Sequence, residues 1–191
     1  DMQEINDALS VLLSSGMSLE KITLLHCISE YPTPLHHANL LAIQTIKQQF
    51  NTKVGFSDHT LGCEASSMAI ALGATVIEKH ITLDKSLEGP DHLASMDAAE
   101  FESFVKVLRR AEEALGSGIK IPTTVEQKNK IAARKSIVAN SDIQIGEIFS
   151  ELNLISKRPG NGISPMQWDI LIGKKATQNY VIDDLISKLE L

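Results

Sequence analysis

The sequence predicts an α/β chain: part of a parallel (β/α)8 (TIM) barrel over residues 1–118, a linker over 119–133, and a small β-rich domain over 134–191. Three observations predict it. Apolar runs of strand length alternate with amphipathic runs of helical length at about 25–30 residues per unit, the rhythm of parallel α/β architecture. Polar, chemistry-bearing residues fall at the ends of the strand-like runs, where barrel enzymes carry their active-site groups. After Gly116-Ser-Gly118 the pattern changes to short β-type runs broken by turn signals.

The elements follow in order. Residues 2–15 place Ile5, Leu9, Leu12 and Leu13 at helical spacing, and Gly16 stops that helix. Ile22-Thr-Leu-Leu-His-Cys27 is a buried strand. A helix over 37–50 carries Leu40, Leu41, Ile43, Ile46 and Phe50 on one side. Val54-Gly-Phe-Ser-Asp-His59 is the second strand, 62–72 a helix of small residues ending at Gly73, and 74–81 the third strand. Asp97, with Glu100 three residues on, caps a long amphipathic helix over 97–115. The stretch 124–134 reads as linker with a short helix. Beyond Lys135, turns are signalled at Asn140-Ser-Asp142 and Pro159-Gly-Asn-Gly162. Glu147–Leu154 and Asp184–Leu191 share an acid-apolar-apolar-Ser-x-Leu-x-Leu pattern, as two related half-units would. A barrel uses eight strand–helix units over roughly 250 residues, and three strands cannot close one. The expectation is therefore that residues 1–118 are a fragment of a barrel, with five earlier units outside this sequence.

Composition narrows the classes. A hydrophobic content of 43% and charged content of 22% are those of a folded globular chain. A net charge of −6 without a Lys/Arg stripe argues against nucleic acid as a partner. The apolar runs are too short to span a membrane, and the start lacks the basic segment of a signal peptide. Two cysteines make no disulfide framework and suit a reducing cytoplasm. Cys27 and Cys63 are expected to be buried apolar filler.

At the strand ends lie His26 and Ser29, then Ser57, Asp58 and His59, then Glu78 and His80. Imidazole is the commonest nitrogen ligand, so histidines on neighbouring strand ends can converge on one ion. Side chains alternate along a strand, so Glu78 and His80 share a face and Lys79 points away. His26, inside an apolar run, reads as a satisfied core histidine, and His36 and His37 as surface. Spacing alone leads to a metal-assisted barrel enzyme and no further.

Five segments then occur in order: LLHCISEYPTP (24–34), VGFSDHTLG (54–62), ALGATVIEKHITLD (71–84), EGPDHLASM (88–96) and KRPGNGISP (157–165). Together they resemble the N-acetylneuraminate (sialic acid) synthase family, including its legionaminic acid relatives, over essentially the whole chain. The resemblance implies that residues 1–118 hold the last three strands of the barrel and that 134–191 form an antifreeze-like (SAF, β-clip) domain. It implies condensation of phosphoenolpyruvate with N-acetylmannosamine or a related amino sugar: C3 of phosphoenolpyruvate attacks the sugar aldehyde, water adds at C2, and phosphate leaves with C–O cleavage. It further implies Mn2+ or Mg2+ held by His59 and His80, phosphate contacts from Ser29 and Ser57, and sugar contacts from Tyr31 and Asp91. Arg158 would reach the sugar of a neighbouring subunit in a domain-swapped homodimer. Position 29 is Asn in some relatives. The family's lysines for phosphoenolpyruvate and its catalytic glutamate belong to the N-terminal half of the barrel, so no catalytic residue is expected in this chain, which should be inactive alone. The competing readings are a non-catalytic sugar- or partner-binding module, and another metal-assisted barrel lyase or aldolase.

Overall fold

A computed structural model describes residues 1–191. Its first helix, α1 (Met2–Ser14), begins on a capping box: the Asp1 carboxylate accepts from Gln3 N and Glu4 N, and Glu4 returns to the backbone of residue 1. Gly16, at φ +93°, lies just beyond its end. Only Leu9 of this helix is buried; Leu12 and Leu13, predicted on the same apolar face, are exposed.

Three strands follow, β1 (Thr23–Cys27), β2 (Lys53–Asp58) and β3 (Val76–Lys79), in one parallel sheet of order β1-β2-β3. Helices α2 (Ala42–Phe50) and α3 (Glu64–Ala71) make the crossovers, and α4 (Ala98–Leu115) follows β3. The helix predicted over 37–50 is shorter at its start. Leu35–His37 form a separate 3-10 turn, and Asn39 takes the left-handed conformation (φ +44°), which no helix continues through.

The two faces of the sheet have different tasks. Val54, Phe56 and Ile77 point to the helices, where they pack with Ile43 and Ile46 of α2 and Ala65 and Ala69 of α3. The small residues of α3 let that helix lie close to the strands. Gly55 faces the other way at a point where strands crowd: a Cβ there would sit 2.3 Å from Leu25 Cδ2 and 2.5 Å from Val76 O. On this second face Cys27, Val76 and Glu78 are exposed. Cys27 is therefore not buried filler as predicted, and Cys63 is only half-buried; the sheet face that carries Cys27 has no layer over it within the unit.

These elements make up one unit, Asp1–Ile119; Lys120–Leu191 make the second. The helix foreseen within the linker, α5 (Thr124–Ala133), groups with the second unit and starts on a Thr123/Glu126 capping box. There β4 (Ser136–Ala139) and β5 (Leu154–Lys157) pair antiparallel, Ser136 opposite Lys157. A short helix, α6 (Trp168–Leu171), packs on the core of Ile137, Ile143, Phe149, Leu171, Tyr180 and Ile186.

The sequence similarity of 147–154 and 184–191 extends into geometry. Ile143 and Tyr180 exchange backbone hydrogen bonds. Gln144 N donates to Glu147 Oε2 at 3.0 Å, and Val181 N donates to Asp184 Oδ2 at 2.9 Å. Gly146 (φ +85°) and Asp183 (φ +72°) take the same left-handed turn position. Phe149 and Ile186 are buried at matching places, as are the polar Asn153 and Glu190. The two half-units are thus one backbone motif used twice.

Candidate functional site

Register builds the site. Ser57 lies opposite Cys27 on one side and Glu78 on the other, and Asp58 lies opposite Lys79. One residue further on, beyond both strand ends, the same register sets His59 beside His80. Parallel neighbours stand about 4.8 Å apart, and two rings leaning together close that gap: His59 Nε2 is 3.3 Å from His80 Nε2. Period-two alternation puts 57, 59, 78 and 80 on one face and 58 and 79 on the other.

The loop after β1 orients the first imidazole. His59 Nδ1 is 2.7 Å from Ile28 O. A carbonyl only accepts, so Nδ1 carries the proton and Nε2 keeps its lone pair. The His59 carbonyl accepts from Thr33 N at 2.7 Å, so ring and backbone are both tied to this loop. The His80 carbonyl accepts from Met96 N at 3.1 Å. Tyr31 joins the pair, stacked on His80 (centroids 4.1 Å apart, planes 22° apart) and edge-on to His59 at 5.2 Å. Its hydroxyl meets Ser95 Oγ at 3.1 Å.

Two imidazole nitrogens at this separation can both touch one divalent ion at metal–nitrogen distances of about 2.1 Å. No third His, Cys, Asp or Glu completes a metal-holding group with them; Cys27 Sγ lies 3.8 Å from His59 on its Nδ1 side, away from the paired nitrogens. The remaining positions would belong to water and substrate oxygens, as catalytic metal sites require and structural ones do not. Nitrogen donors favour Mn2+ and its transition-metal neighbours over Mg2+, which prefers an oxygen shell.

The other predicted residues fall as follows. Ser57 is buried and donates to Glu78 Oε1 at 2.6 Å, so its hydroxyl proton is already engaged. Ser29 is exposed. Asp91 is exposed too, and its backbone carbonyl accepts from Ser95 N at 3.0 Å and Ser95 Oγ at 2.8 Å while its carboxylate stays free. Arg158 belongs to the second unit, where its Nε donates to Ala133 O at 3.1 Å. His26 bonds Ala38 O through Nε2 at 2.9 Å and stacks on Phe56, on the helix-covered face, as a core histidine does. His36 and His37 are exposed.

Two features escaped sequence reasoning. Behind the histidines Asp58, fully buried, accepts from Thr60 N (2.8 Å), Thr60 Oγ1 (2.7 Å) and Ser66 Oγ (2.6 Å), and pairs with Lys79 Nζ at 3.2 Å. The Asp58-x-Thr60 spacing, which favours a local side-chain turn, was its one signal. Ser95 carried none. A cavity of 590 Å3 lined by Thr60, Cys63, Lys79, Ser95, Met96 and Phe104 lies against this same loop, and the histidines do not line it.

Residues 1–120 match the model of the NeuB family and residues 134–191 that of the SAF domain. The N,N'-diacetyllegionaminic acid synthase of Campylobacter jejuni is 50% identical over 186 residues, 97% of this chain and 56% of that protein. A pseudaminic acid synthase of the same species is 45% identical over 164 residues, 86% of this chain and 48% of that protein. Among solved structures, spore coat polysaccharide biosynthesis protein E of Chromobacterium violaceum superposes with a TM-score of 0.74 at 26% identity, over 99% of this chain and 57% of that one. The chain thus spans about half the length of the curated relatives it matches. With residues 1–120 matching the family's model and 97% of its length aligned to a relative at 50% identity, the chain belongs to the NeuB family.

Proposed function

We propose that this chain supplies the metal- and sugar-binding side of a synthase that condenses phosphoenolpyruvate with an N-acetylated amino sugar and releases phosphate. The observation that carries the proposal is the meeting of His59 Nε2 and His80 Nε2 at 3.3 Å on adjacent parallel strand ends, under the Tyr31 ring. A divalent ion, Mn2+ by the donor set, would polarise the sugar aldehyde as a Lewis acid when bound.

The chain's own residues have separate tasks in this reading. His59, its Nδ1 proton committed to Ile28 O, presents Nε2 in one fixed orientation. Tyr31 Oη faces the sugar with acceptor lone pairs, and the free Asp91 carboxylate accepts from sugar hydroxyls. Ser29 and Ser57 serve the phosphate; Ser57 must turn its proton from Glu78 to do so. Arg158, with its terminal guanidinium nitrogens uncommitted, reaches a neighbouring subunit's sugar in a domain-swapped homodimer. The residues that bind the phosphoenolpyruvate carboxylate and carry out proton transfer lie outside this chain, in the remainder of a (β/α)8 barrel of which β1–β3 are the last three strands. The relatives named for legionaminic and pseudaminic acid stand at 50% and 45% identity, so overall similarity does not choose the sugar; the loops around Tyr31 and Asp91 do.

The test is phosphate release from phosphoenolpyruvate and N-acetylmannosamine or a di-N-acetylated hexose, with Mn2+. It is run on this chain alone and on a full-length synthase carrying it. Activity in the full-length protein that His59→Ala or His80→Ala abolishes is the expected result. Full activity in either variant removes the metal-binding role of the pair; no activity with any sugar removes the synthase reading and leaves a non-catalytic binding module.

A further inference from the structure

Building on the metal-binding role proposed for the histidine pair, we infer that Ser95 is a positioning residue that sets both imidazoles through Tyr31. Ser95 is 3% exposed and lies in the turn between β3 and α4, where its hydroxyl has one proton and two neighbours. Asp91 O, at 2.8 Å, can only accept, so the Ser95 proton goes there. Tyr31 Oη, at 3.1 Å, is then the donor to Ser95 Oγ. This relay fixes the direction of the phenol proton and the height of the ring. That ring is the one stacked at 4.1 Å on His80 and edge-on at 5.2 Å to His59.

The second imidazole depends on it. His59 is held by its own hydrogen bond to Ile28 O. The His80 ring has no such anchor outside the pair: its Nε2 donates to the lone pair of His59 Nε2 at 3.3 Å, a bond that an ion between the two nitrogens would replace, and the turn holds only its backbone carbonyl. Its ring plane is therefore set by the aromatic face above it. Metal-binding histidines ordinarily use their second nitrogen for orientation; here an aromatic stack takes that place, and Ser95 holds the stack. The same hydroxyl ties the Asp91 backbone to Tyr31, so the two expected sugar contacts move together.

The test uses NMR of the His80 ring C–H and Mn2+ titration by electron paramagnetic resonance, on the full chain. Tyr31→Leu marks the position of the His80 resonance with no ring above it. Ser95→Ala should move the resonance part of the way there and weaken Mn2+ binding about tenfold, the lower range for losing an orienting group around a metal ligand. Tyr31→Phe, which keeps the ring and loses the hydroxyl, should reproduce both effects, and the double variant should add nothing. Ser95→Thr, which keeps the hydroxyl, should restore them. An unmoved His80 resonance, or an unchanged Mn2+ affinity, in folded Ser95→Ala and Tyr31→Phe overturns the inference. Mn2+ binding that survives His59→Ala together with His80→Ala removes instead the metal reading, and this inference with it.

Discussion

Replacing Lys79 by Met probes the ion pair behind the histidines. Lys79 and Asp58 have side-chain exposures of 4% and 0%, with Nζ 3.2 Å from Oδ2. The ammonium also donates to Thr60 O and lies 5.6 Å from the centre of the Phe104 ring. Methionine keeps the apolar stem and its packing but leaves Asp58 buried without its cation. Breaking a buried pair from one side costs about 3–5 kcal/mol. Asp58 keeps the bonds from Thr60 and Ser66, so the expected loss is about 3 kcal/mol, the low end of that range. With a urea slope of about 1–3 kcal/mol/M, the midpoint should fall by about 1–3 M. Circular dichroism is dominated by the longer helices of the first unit, while Trp168, the one tryptophan, reports the second and separates its share. Asp58→Asn added to Lys79→Met should recover part of the loss, because the amide buries no charge. A loss below about 1 kcal/mol would put the pair among exposed ones that contribute little and refute the reasoning.

In the second unit, burial would raise the Glu190 carboxyl, but hydrogen bonds from Tyr180 and Thr177 outweigh it and hold it below the usual 4.5. Its stabilising contribution is therefore complete above that value and lost as pH falls through the lower folded value; Glu190→Gln should flatten that part of the acid unfolding curve. Burial, with Glu190 beside it, pushes Tyr180 up to about 12 from 10.0. The neutral phenol thus stabilises fully below pH 10.0 and less as pH rises toward about 12, which ultraviolet titration of a Tyr31→Phe chain would display as a single late tyrosinate step. Gly55→Ala, with its Cβ forced against Leu25 and Val76 O, should cost about 1–3 kcal/mol in thermal denaturation; an unchanged midpoint would contradict the strand spacing. Asp97→Ala, which removes the bond from Glu100 N at 2.8 Å that starts α4, should cost about 1 kcal/mol in the same assay.

The sequence was legible wherever periodicity carried the signal. Strand-length apolar runs located β1–β3, and alternation alone turned Lys79 away from Glu78 and His80. The Asp97/Glu100 spacing marked the start of α4, and eight similar positions announced a repeat that the matched turns at Gly146 and Asp183 display. What alternation cannot supply is register between strands, because that depends on crossover geometry; the residues alone left the approach of His59 to His80 open, and only the family resemblance paired them. Nor does a pattern show which face is covered, and so Cys27 was assigned to the interior. Asn39 fell inside the helix predicted over 37–50, which its φ of +44° breaks. Ser95 joins Asp91 O and Tyr31 Oη through two hydrogen bonds among three loop positions, a relation no spacing encodes.

Register and chemistry are linked through the far side of the sheet. Since side chains alternate, sliding β3 by one residue along β2 would replace Glu78 and His80 on the open face with Lys79, and would turn a glutamate into the helix-covered face. The aligned sheet instead sets Lys79 against Asp58 and Ser57 against Glu78. A slipped sheet would leave Asp58 buried beside a carboxylate rather than an ammonium, and an unpaired buried charge alone costs about 3–5 kcal/mol, a large part of the stability of a small unit. The ion pair is therefore worth more as a penalty on the wrong alignment than as a contribution to the right one. That penalty favours the one alignment in which the two imidazole nitrogens stand 3.3 Å apart. Asp58, one residue before His59, and Lys79, one residue before His80, set the site from the face it does not use.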